Sequence, residues 1–434
     1  MNNSGVNNAD KNKSFKKFLL LWSGELISSI GSGLTAFGLS VYVFQQTGKV
    51  TSTAIITLLA FLPSVLLNPF AGVLADRYDR RLLMILGDSL STLGLFYILI
   101  SMLNGGATFI QICIGVTISS VFTSLLEPAY RATITDLLTP EEFSKASGLV
   151  QAAGSSRYLI SPILAGFLLS FSNIKLILIL DICTFFITFI TTFIVRKGLI
   201  SKANSKNTSF SQEFKDGWLA ISENKGILIL VFMGTLLTFF LAFIQSLAVP
   251  MILTFSTASV AGVCNTICAT GMLASSIFIG MIPIKKSYVK LLTYSLCLSG
   301  IFMALFGLRE NIILISIAGF LFFATLPFAN TSLDVLIRKN IVNELQGRAW
   351  GLIGFITQFG YILAYASVGF LSDSVFTPML VENGSLSNTV GKIIGTGPGR
   401  GTAFLIIIAG FLLFLTALIL YSIKSIRKLE DANV

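Results

Sequence analysis

Four ionisable side chains lie well inside long apolar stretches of this chain of 434 residues: Glu25, Glu127, Arg157 and Asp181. A charge deep in a bilayer costs at least about 2.5 to 3.5 kcal/mol on insertion scales, so such residues generally face a cavity or a partner. Carboxylates can also bind and release protons, and the chain contains no histidine that would do so instead. The four residues are therefore candidates for a proton-coupling site.

The elements that hold these charges are long apolar runs. Hydrophobic residues make up 54% of the chain and the mean hydropathy is +0.85, above the roughly 45 to 50% apolar content of soluble domains. A helix needs about 20 apolar residues to cross a bilayer. The sequence therefore predicts an all-α integral membrane protein with twelve transmembrane helices, near 15–45, 51–75, 82–103, 107–131, 142–171, 173–195, 226–254, 258–283, 288–307, 311–337, 345–375 and 401–423.

The net charge of +10 follows from membrane topology. If both termini lie on one side, nearly all Lys and Arg residues fall in the loops of that side. The exceptions are Lys49, Lys175, Arg309, Lys392, Arg400 and the intramembrane Arg157. Loops rich in Lys and Arg stay on the cytoplasmic side of a membrane. Both termini are therefore predicted to lie on the cytoplasmic side of a bacterial-type cell membrane. The basic excess then needs no nucleic-acid partner.

The chain divides into two predicted six-helix halves, 1–195 and 226–434, joined by a cytoplasmic linker, 196–225. Within the linker, apolar residues at helical spacing predict an amphipathic helix at the membrane interface; they are Phe210, Phe214, Trp218 and Ile221. Span 5 residues such as Gly148 and Tyr158 recur 203 positions later as Gly351 and Tyr361 in span 11. This common offset indicates two halves related by duplication.

The short connection between spans 2 and 3, "GVLADRYDRR" at 72–81, concentrates charge at a turn. From the residues alone, it anchors topology, while Gly72 allows a close helix approach. The stretch resembles the G-x-L-a-D-r-x-g-r-r/k signature of the major facilitator superfamily, which there forms a cytoplasmic conformational latch. Asp76, Arg80 and Arg81 match its charged positions, and Asp79 replaces the usual glycine.

The resemblance extends along the whole chain and implies a major facilitator fold with two six-helix halves. "LLTPEEFSKASGLVQ" before span 5 and "ILDICTF" in span 6 are similar to the drug-exporter branch that contains bacterial macrolide-efflux proteins. Two positions depart from that branch. Ser119 or Ser120 stands where an arginine is common in span 4, and the span 5 antiporter signature is reduced to Ser161, Pro162, Ala165 and Gly166.

The superfamily fold implies that spans 1, 4 and 5 line one cavity, which would bring Glu25, Glu127 and Arg157 together. In this hypothesis Arg157 reaches back to Glu127 and replaces the missing arginine of span 4. An apolar environment strengthens the hold of a carboxyl on its proton and a nearby guanidinium weakens it, so the cluster is poised for proton exchange. The alternative is a static ion pair that sets helix packing. Asp181 matches an acidic position of the family, and a structural bond is an equally good reading of it; Asp88 and Asp334 are read as latch or capping residues.

A substrate surface is predicted from aromatic and amide side chains in spans 7 and 11. The candidate binding residues are Phe239, Phe243, Gln245, Phe355, Gln358 and Tyr361. Thirty-seven phenylalanines suit a hydrophobic ligand, although most of them are expected to face lipid or other helices.

The sequence lacks the motifs of ATP-driven pumps, enzymes and metal-binding proteins. The chain has no phosphate-binding G-x-x-x-x-G-K-[ST] sequence and no catalytic or metal-ligand set, so neither an enzyme nor a cofactor is predicted. The resemblance implies a monomeric, proton-coupled exporter of a small hydrophobic compound, of multidrug or macrolide type. Two alternatives stay open: an exporter of a native metabolite such as a siderophore or peptide, and a non-transporting membrane protein that gives resistance by binding a toxin.

Overall fold

The computed structural model describes residues 14–196, 210–282 and 287–430, and these residues contain helices and no strands. Twelve of the helical segments are long and apolar enough to cross a membrane. The predicted all-α fold with twelve spans is therefore confirmed. The spans, numbered in chain order, are Phe15–Thr47, Val50–Asn68, Arg80–Leu103, Phe109–Leu137, Lys145–Phe171, Ile174–Val195, Lys225–Leu253, Ala258–Met281, Tyr288–Phe306, Ile312–Asn340, Leu345–Leu380 and Arg400–Ser422.

Three of the spans are interrupted. Span 4 consists of Phe109–Thr123 and Leu126–Leu137, and span 5 of Phe143–Leu159 and Ser161–Phe171. Pro128 and Pro162 lie in the first turn of the second helix in each case, where proline is tolerated because its missing N–H has no partner in a helix start. Span 11 runs as Asn343–Phe370, a π-helical turn Leu371–Phe376, and Thr377–Leu380, so it extends beyond the predicted end at 375.

The first compact unit comprises Met1–Val43 and Ile56–Lys206. At one end of it, spans 1, 3 and 4 share a core that includes Phe18, Met84 and Leu137, each at most 1% exposed. The indole N–H of Trp22 donates to the carbonyl of Leu149 at 2.6 Å, which fixes span 1 against span 5. These contacts position the intramembrane charges of the unit.

The second compact unit comprises Phe44–Ile55 and Asn207–Val434. Its boundary differs from the predicted halves because the segment joining spans 1 and 2 belongs to it. Asp373, in the π-helical turn, accepts hydrogen bonds from the backbone N–H groups of Val50 at 3.1 Å and Thr51 at 2.7 Å. Thr51 also donates its hydroxyl to Asp373. The carboxylate therefore caps the start of span 2, where the helix dipole favours an anion.

Glycine allows several spans of the second unit to pack closely. A Cβ on Gly271 of span 8 would overlap the carbonyl oxygen of Phe320 in span 10. Cys268, one turn away, is 3% exposed and packs at Gly319 of span 10. Spans 8 and 10 are therefore held at backbone contact.

The predicted helix of the linker is present as Phe210–Ser222. Ile221 is fully buried, and a Cβ on Gly217 would lie 2.8 Å from the carbonyl oxygen of Arg348. The helix thus packs on the start of span 11 within the second unit, and leaves Trp218 45% exposed. The side chains of Phe210 and Phe214 lie outside the described residues.

Candidate functional site

Two glycines in span 1 determine how close the charged side chains of spans 5 and 6 come. A Cβ on Gly31 would lie 2.7 Å from Oδ1 of Asp181, and a Cβ on Gly33 would lie 2.9 Å from Cγ of Arg157. At the break of span 5, Ser161 donates its hydroxyl to the carbonyl of Ile30 at 2.9 Å. Spans 5 and 6 therefore both carry a charged residue to the same stretch of span 1.

Asp181 is the most buried of the four predicted charges, with 1% of its surface exposed. Thr184, one turn later in span 6, donates its hydroxyl to the carboxylate at 3.4 Å. Arg157 is close enough for its charge to interact with that of Asp181. The structure thus brings Asp181 and Arg157 together, whereas the sequence grouped Arg157 with Glu25 and Glu127.

Glu127 has a different partner from the one predicted. Its Oε1 lies 2.7 Å from Nη2 of Arg131, and both side chains are more than 60% exposed. The pair is separated by one helical turn, the spacing at which opposite charges meet on a helix surface. The expected contact between Arg157 and Glu127 is therefore corrected: Arg131 neutralises Glu127 locally, and Arg157 lies beside Asp181.

The charges of the first unit are nevertheless close enough to act on one another in pairs, and we call these residues the charge series. Glu25 is half-buried, accepts a long hydrogen bond from Ser29 at 3.5 Å, and interacts with the charge of Glu127. Asp88 interacts with both Glu25 and Asp181. The charge series therefore runs in the order Glu127, Glu25, Asp88, Asp181 and Arg157. Glu127 and Arg157 at its ends are exposed, and Asp88 and Asp181 are buried.

Asp88 is the functional candidate that the sequence reading missed. It is 2% exposed, and its Oδ2 has no hydrogen-bond partner among the described residues. It lines a cavity of about 210 Å³ whose walls include Phe96, Phe185 and Phe189. The expected latch or capping role does not fit a buried carboxylate in an aromatic cavity. The signal in the sequence was an acid about two turns inside span 3.

The serines at the position of the missing span 4 arginine have packing roles. Ser120 is 5% exposed and donates to the carbonyl of Ala60 in span 2 at 2.7 Å. Ser119 packs against Gly94 of span 3. The basic member of the charge series is thus supplied by span 5.

The connection between spans 2 and 3 is bound to the end of span 4. Nη1 of Arg80 donates to Asp136 at 2.8 Å, and Nη2 of Arg81 lies 3.5 Å from the same carboxylate. Asp79, which replaces the usual glycine, caps span 3 by accepting from the backbone N–H of Arg81 at 3.0 Å. Nε of Arg80 also donates to the carbonyl of Ala75 at 3.2 Å, at the end of the helix Val50–Arg77. These contacts tie spans 2, 3 and 4 together at this end of the first unit.

The other two predicted latch residues are Gly72 and Asp76. A Cβ on Gly72 would meet nothing within 4 Å, so the expected close helix approach at Gly72 is wrong. At Gly72 itself, the helix Val50–Arg77 faces open space among the described residues. Asp76 lies in the helix Val50–Arg77, and its side chain lies outside the described residues. The latch itself stays a prediction.

We expect Asp136→Asn to lower the free energy of unfolding by about 1 to 3 kcal/mol, because hydrogen bonds to charged groups are among the stronger ones. Arg81, with 2% of its side chain exposed, would lose the charge of a partner. The measurement is the apparent melting temperature in detergent. Glu127→Gln is the control, since its ion pair is exposed and worth at most about 1 kcal/mol. Equal effects of the two substitutions would contradict the expectation.

The predicted substrate residues of span 7 lie on its contact with span 11. Phe239 and Phe243 are in ring contact, with centroids 4.7 Å apart. Phe243 is 3% exposed, so its ring belongs to the core of the second unit. Gln245 is exposed and accepts a hydrogen bond from the hydroxyl of Tyr365 at 3.1 Å.

In span 11, Gly360 allows backbone contact with Thr235 of span 7. Gln358 is partly buried, and its Oε1 has no hydrogen-bond partner among the described residues. The ring of Phe355 packs edge-on against that of Phe359, with centroids 5.2 Å apart, and the ring centroids of Tyr361 and Tyr365 are 6.0 Å apart. Both spans thus present aromatic and amide groups in the second unit, and Gln358 has hydrogen-bonding capacity to spare.

Comparison with known proteins gives the relatives of the chain. A family model described as Major Facilitator Superfamily matches residues 21–365. Macrolide efflux protein A of Streptococcus pyogenes is 29% identical over 359 residues, which are 78% of this chain and 85% of that protein. Macrolide efflux protein A of Enterococcus faecalis is 29% identical over 313 residues, or 69% of this chain and 94% of the relative.

Solved structures share the fold at lower identity. The nucleoside transporter NupG superimposes with a TM-score of 0.73 at 16% identity, covering 94% of this chain and 100% of that chain. A bacterial homologue of the iron transporter ferroportin, solved in an inward-facing state, gives a TM-score of 0.69 at 14% identity. It covers 95% of this chain and 100% of its own. At these identities the likeness shows the architecture alone.

Proposed function

Because the chain belongs to the Major Facilitator Superfamily, a family of transporters rather than enzymes, we propose that it exports a hydrophobic compound of macrolide type in exchange for protons. The similarity to two macrolide efflux proteins over most of the chain supports the substrate class. The protein is a multi-pass membrane protein. In this proposal it acts as a monomer in the cytoplasmic membrane, with both termini in the cytoplasm.

The observation that carries the proposal is the charge series of the first unit. Asp88 and Asp181 are buried carboxylates from spans 3 and 6, and Arg157 is the base that interacts with Asp181. In an interior of low polarity, two negatively charged carboxylates beside a single guanidinium are unfavourable, and binding a proton removes one of the negative charges. The series therefore supports a site that binds protons when it is closed to water and releases them when it is wetted.

The exposed end of the series at Glu127 supports a route for the proton from water. Glu127 is exposed, and Glu25 connects it to the buried pair. Proton uptake on one side of the membrane and release on the other would then drive alternating access of the two halves. In that cycle Arg157 takes the role that an arginine of span 4 has in related exporters.

The proposed substrate surface lies in the second unit. The candidate contacts are Phe239, Phe355 and Tyr361 through their rings, Phe243 by supporting Phe239, and Gln245 and Gln358 through their amides. Apolar walls with a few oriented polar groups are typical of pockets for drug-sized ligands. Gln358 has the clearest capacity for a ligand, because its Oε1 is buried without a partner.

The test is uptake of a labelled macrolide into inside-out vesicles, with and without an imposed pH gradient, acid inside. We expect uptake that depends on the gradient, and a loss of at least about 10-fold in Glu25→Gln, because a carboxamide cannot bind or release a proton at this position. Glu382→Gln is the control, since Glu382 is an exposed acid outside the charge series. Uptake of macrolides that is independent of the gradient would contradict proton coupling, and uptake only of a siderophore or peptide would contradict the substrate class.

A further inference from the structure

A cavity that the transport proposal does not use lies in the second unit, beside the start of span 12. Its volume is about 430 Å³, within the range of ligand pockets. Its walls come from the connection between spans 9 and 10 and from the glycine-rich stretch before span 12: Arg309, Glu310, Asn311, Ile394, Gly395, Thr396 and Arg400.

A buried arginine forms part of this wall. Arg400 is 1% exposed; its Nε lies 2.9 Å from Glu310, and its Nη1 donates to the carbonyl of Ile394 at 3.2 Å. Its Nη2 is buried and has no hydrogen-bond partner among the described residues. A buried charged donor without a partner is costly, so an acceptor supplied by a ligand would stabilise it.

The charges around the cavity are positive in sum. Arg309 adds a second guanidinium and is exposed, while Glu310 is the one acid among the lining residues and is 43% exposed. An anion at this place would therefore meet two guanidinium groups against one carboxylate. Arginine is the residue best suited to oxyanions, because its fork of donors matches phosphate and carboxylate.

The backbone adds to this preference. The helix of span 12 begins at Arg400 and is 23 residues long, and no side chain caps its start. Its dipole carries about half a positive charge at this end, which attracts anions. Gly395 has a φ of +96°, and a Cβ there would lie 3.3 Å from Cδ of Arg400. Glycine thus lets the loop lie directly on the arginine side chain.

We propose that this cavity binds a phosphate group. The volume exceeds what a bare ion needs, so the phosphate is carried by a small polar group, as in the glycerophosphate headgroup of an anionic lipid. Because the loops between spans 9 and 10 and between spans 11 and 12 lie at the same end of the helices of the second unit, the site is at the membrane surface on the side where span 12 begins. The inference does not depend on the identity of the exported compound.

The experiment measures binding of labelled inorganic phosphate and of glycerol phosphate to the purified full chain in detergent. It also measures binding of phosphatidylglycerol, against phosphatidylcholine, in nanodiscs. We expect Arg309→Gln to weaken binding at least about 5-fold and Glu310→Gln to tighten it. Lys392→Gln is the control: it removes the same charge from an exposed side chain that does not line the cavity. It should leave binding unchanged.

The outcomes separate the sources of the phosphate. Binding of phosphatidylglycerol alone assigns the site to lipid, and binding of the soluble phosphates assigns it to a solute. Arg309 is exposed, so its variant should fold; Glu310→Gln removes the carboxylate beside the buried Arg400 and should lower the melting temperature while it tightens phosphate binding. The proposal is overturned if none of the ligands binds, or if the two variants bind like the wild type. It is also overturned if Glu310→Gln lowers both the melting temperature and the affinity, which is the result for an ion pair that only joins two loops.

Discussion

Asp181→Asn is expected to reduce macrolide uptake driven by the pH gradient to background, a loss of at least about 10-fold. Asp181 lies between Asp88 and Arg157 in the charge series and is buried. The carboxamide keeps the size of the side chain and its ability to accept from Thr184, but it cannot exchange a proton. The measurement compares uptake by wild-type and variant inside-out vesicles at equal protein content.

Substrate counterflow without a gradient separates coupling from folding. Exchange of labelled for unlabelled macrolide requires alternating access and no net movement of protons, so it should be retained in Asp181→Asn. Asp181→Glu keeps the acid, but its longer side chain would press on Gly31, which already contacts the aspartate; partial driven uptake is expected. Wild-type driven uptake in Asp181→Asn would exclude Asp181 as a proton carrier, and loss of counterflow as well would indicate a structural role.

Gly271→Val is expected to prevent folding of the second unit or to lower its melting temperature strongly. A Cβ at Gly271 would overlap the carbonyl oxygen of Phe320, and the backbone N of Ala324 lies at 3.2 Å from the same position. Backbone atoms in a helix cannot move aside alone, so spans 8 and 10 would have to separate. Overpacking of this kind costs about 1 to 3 kcal/mol or more. The measurement is the yield of monodisperse protein and its melting temperature in detergent.

The same helix offers a matched control. Gly280 lies in Ala258–Met281, is exposed, and would have nothing within 4 Å of an added Cβ. Gly280→Val makes the same chemical change, with the same change in intrinsic helix propensity. We therefore expect a small effect there, and similar behaviour of the two variants would show that the contact with Phe320 does not limit stability.

The twelve spans were predictable because a bilayer imposes a length and a composition that can be counted along the chain. The breaks in spans 4 and 5 were less accessible. Proline marks them, but proline is also tolerated inside membrane helices, as Pro250 is in span 7 and Pro327 is in span 10. Whether a proline breaks a span depends on the neighbouring helices, which a single sequence does not specify.

The charges themselves were identified from the sequence, and their partners were not. Glu127 and Arg131 are four residues apart, so their pairing could have been read from helical spacing alone. The approach of Arg157 to Asp181 depends on Gly31 and Gly33 in span 1, and nothing local distinguishes these from Gly72, where the structure shows open space. Contacts between spans far apart in sequence are set by which faces meet, and that information lies outside any one segment.

The π-helical turn at Leu371–Phe376 determines the direction in which the side chain of Asp373 points, and so its contact with the start of span 2. A π turn closes its hydrogen-bonded ring with one residue more than an α turn, and successive residues in a helix are rotated by about 100°. Asp373 lies within this turn and reaches the N–H groups of Val50 and Thr51. Shortening the turn by one residue ahead of Asp373 would keep every remaining side chain and still direct the carboxylate elsewhere. At this place the number of residues matters as much as their identity.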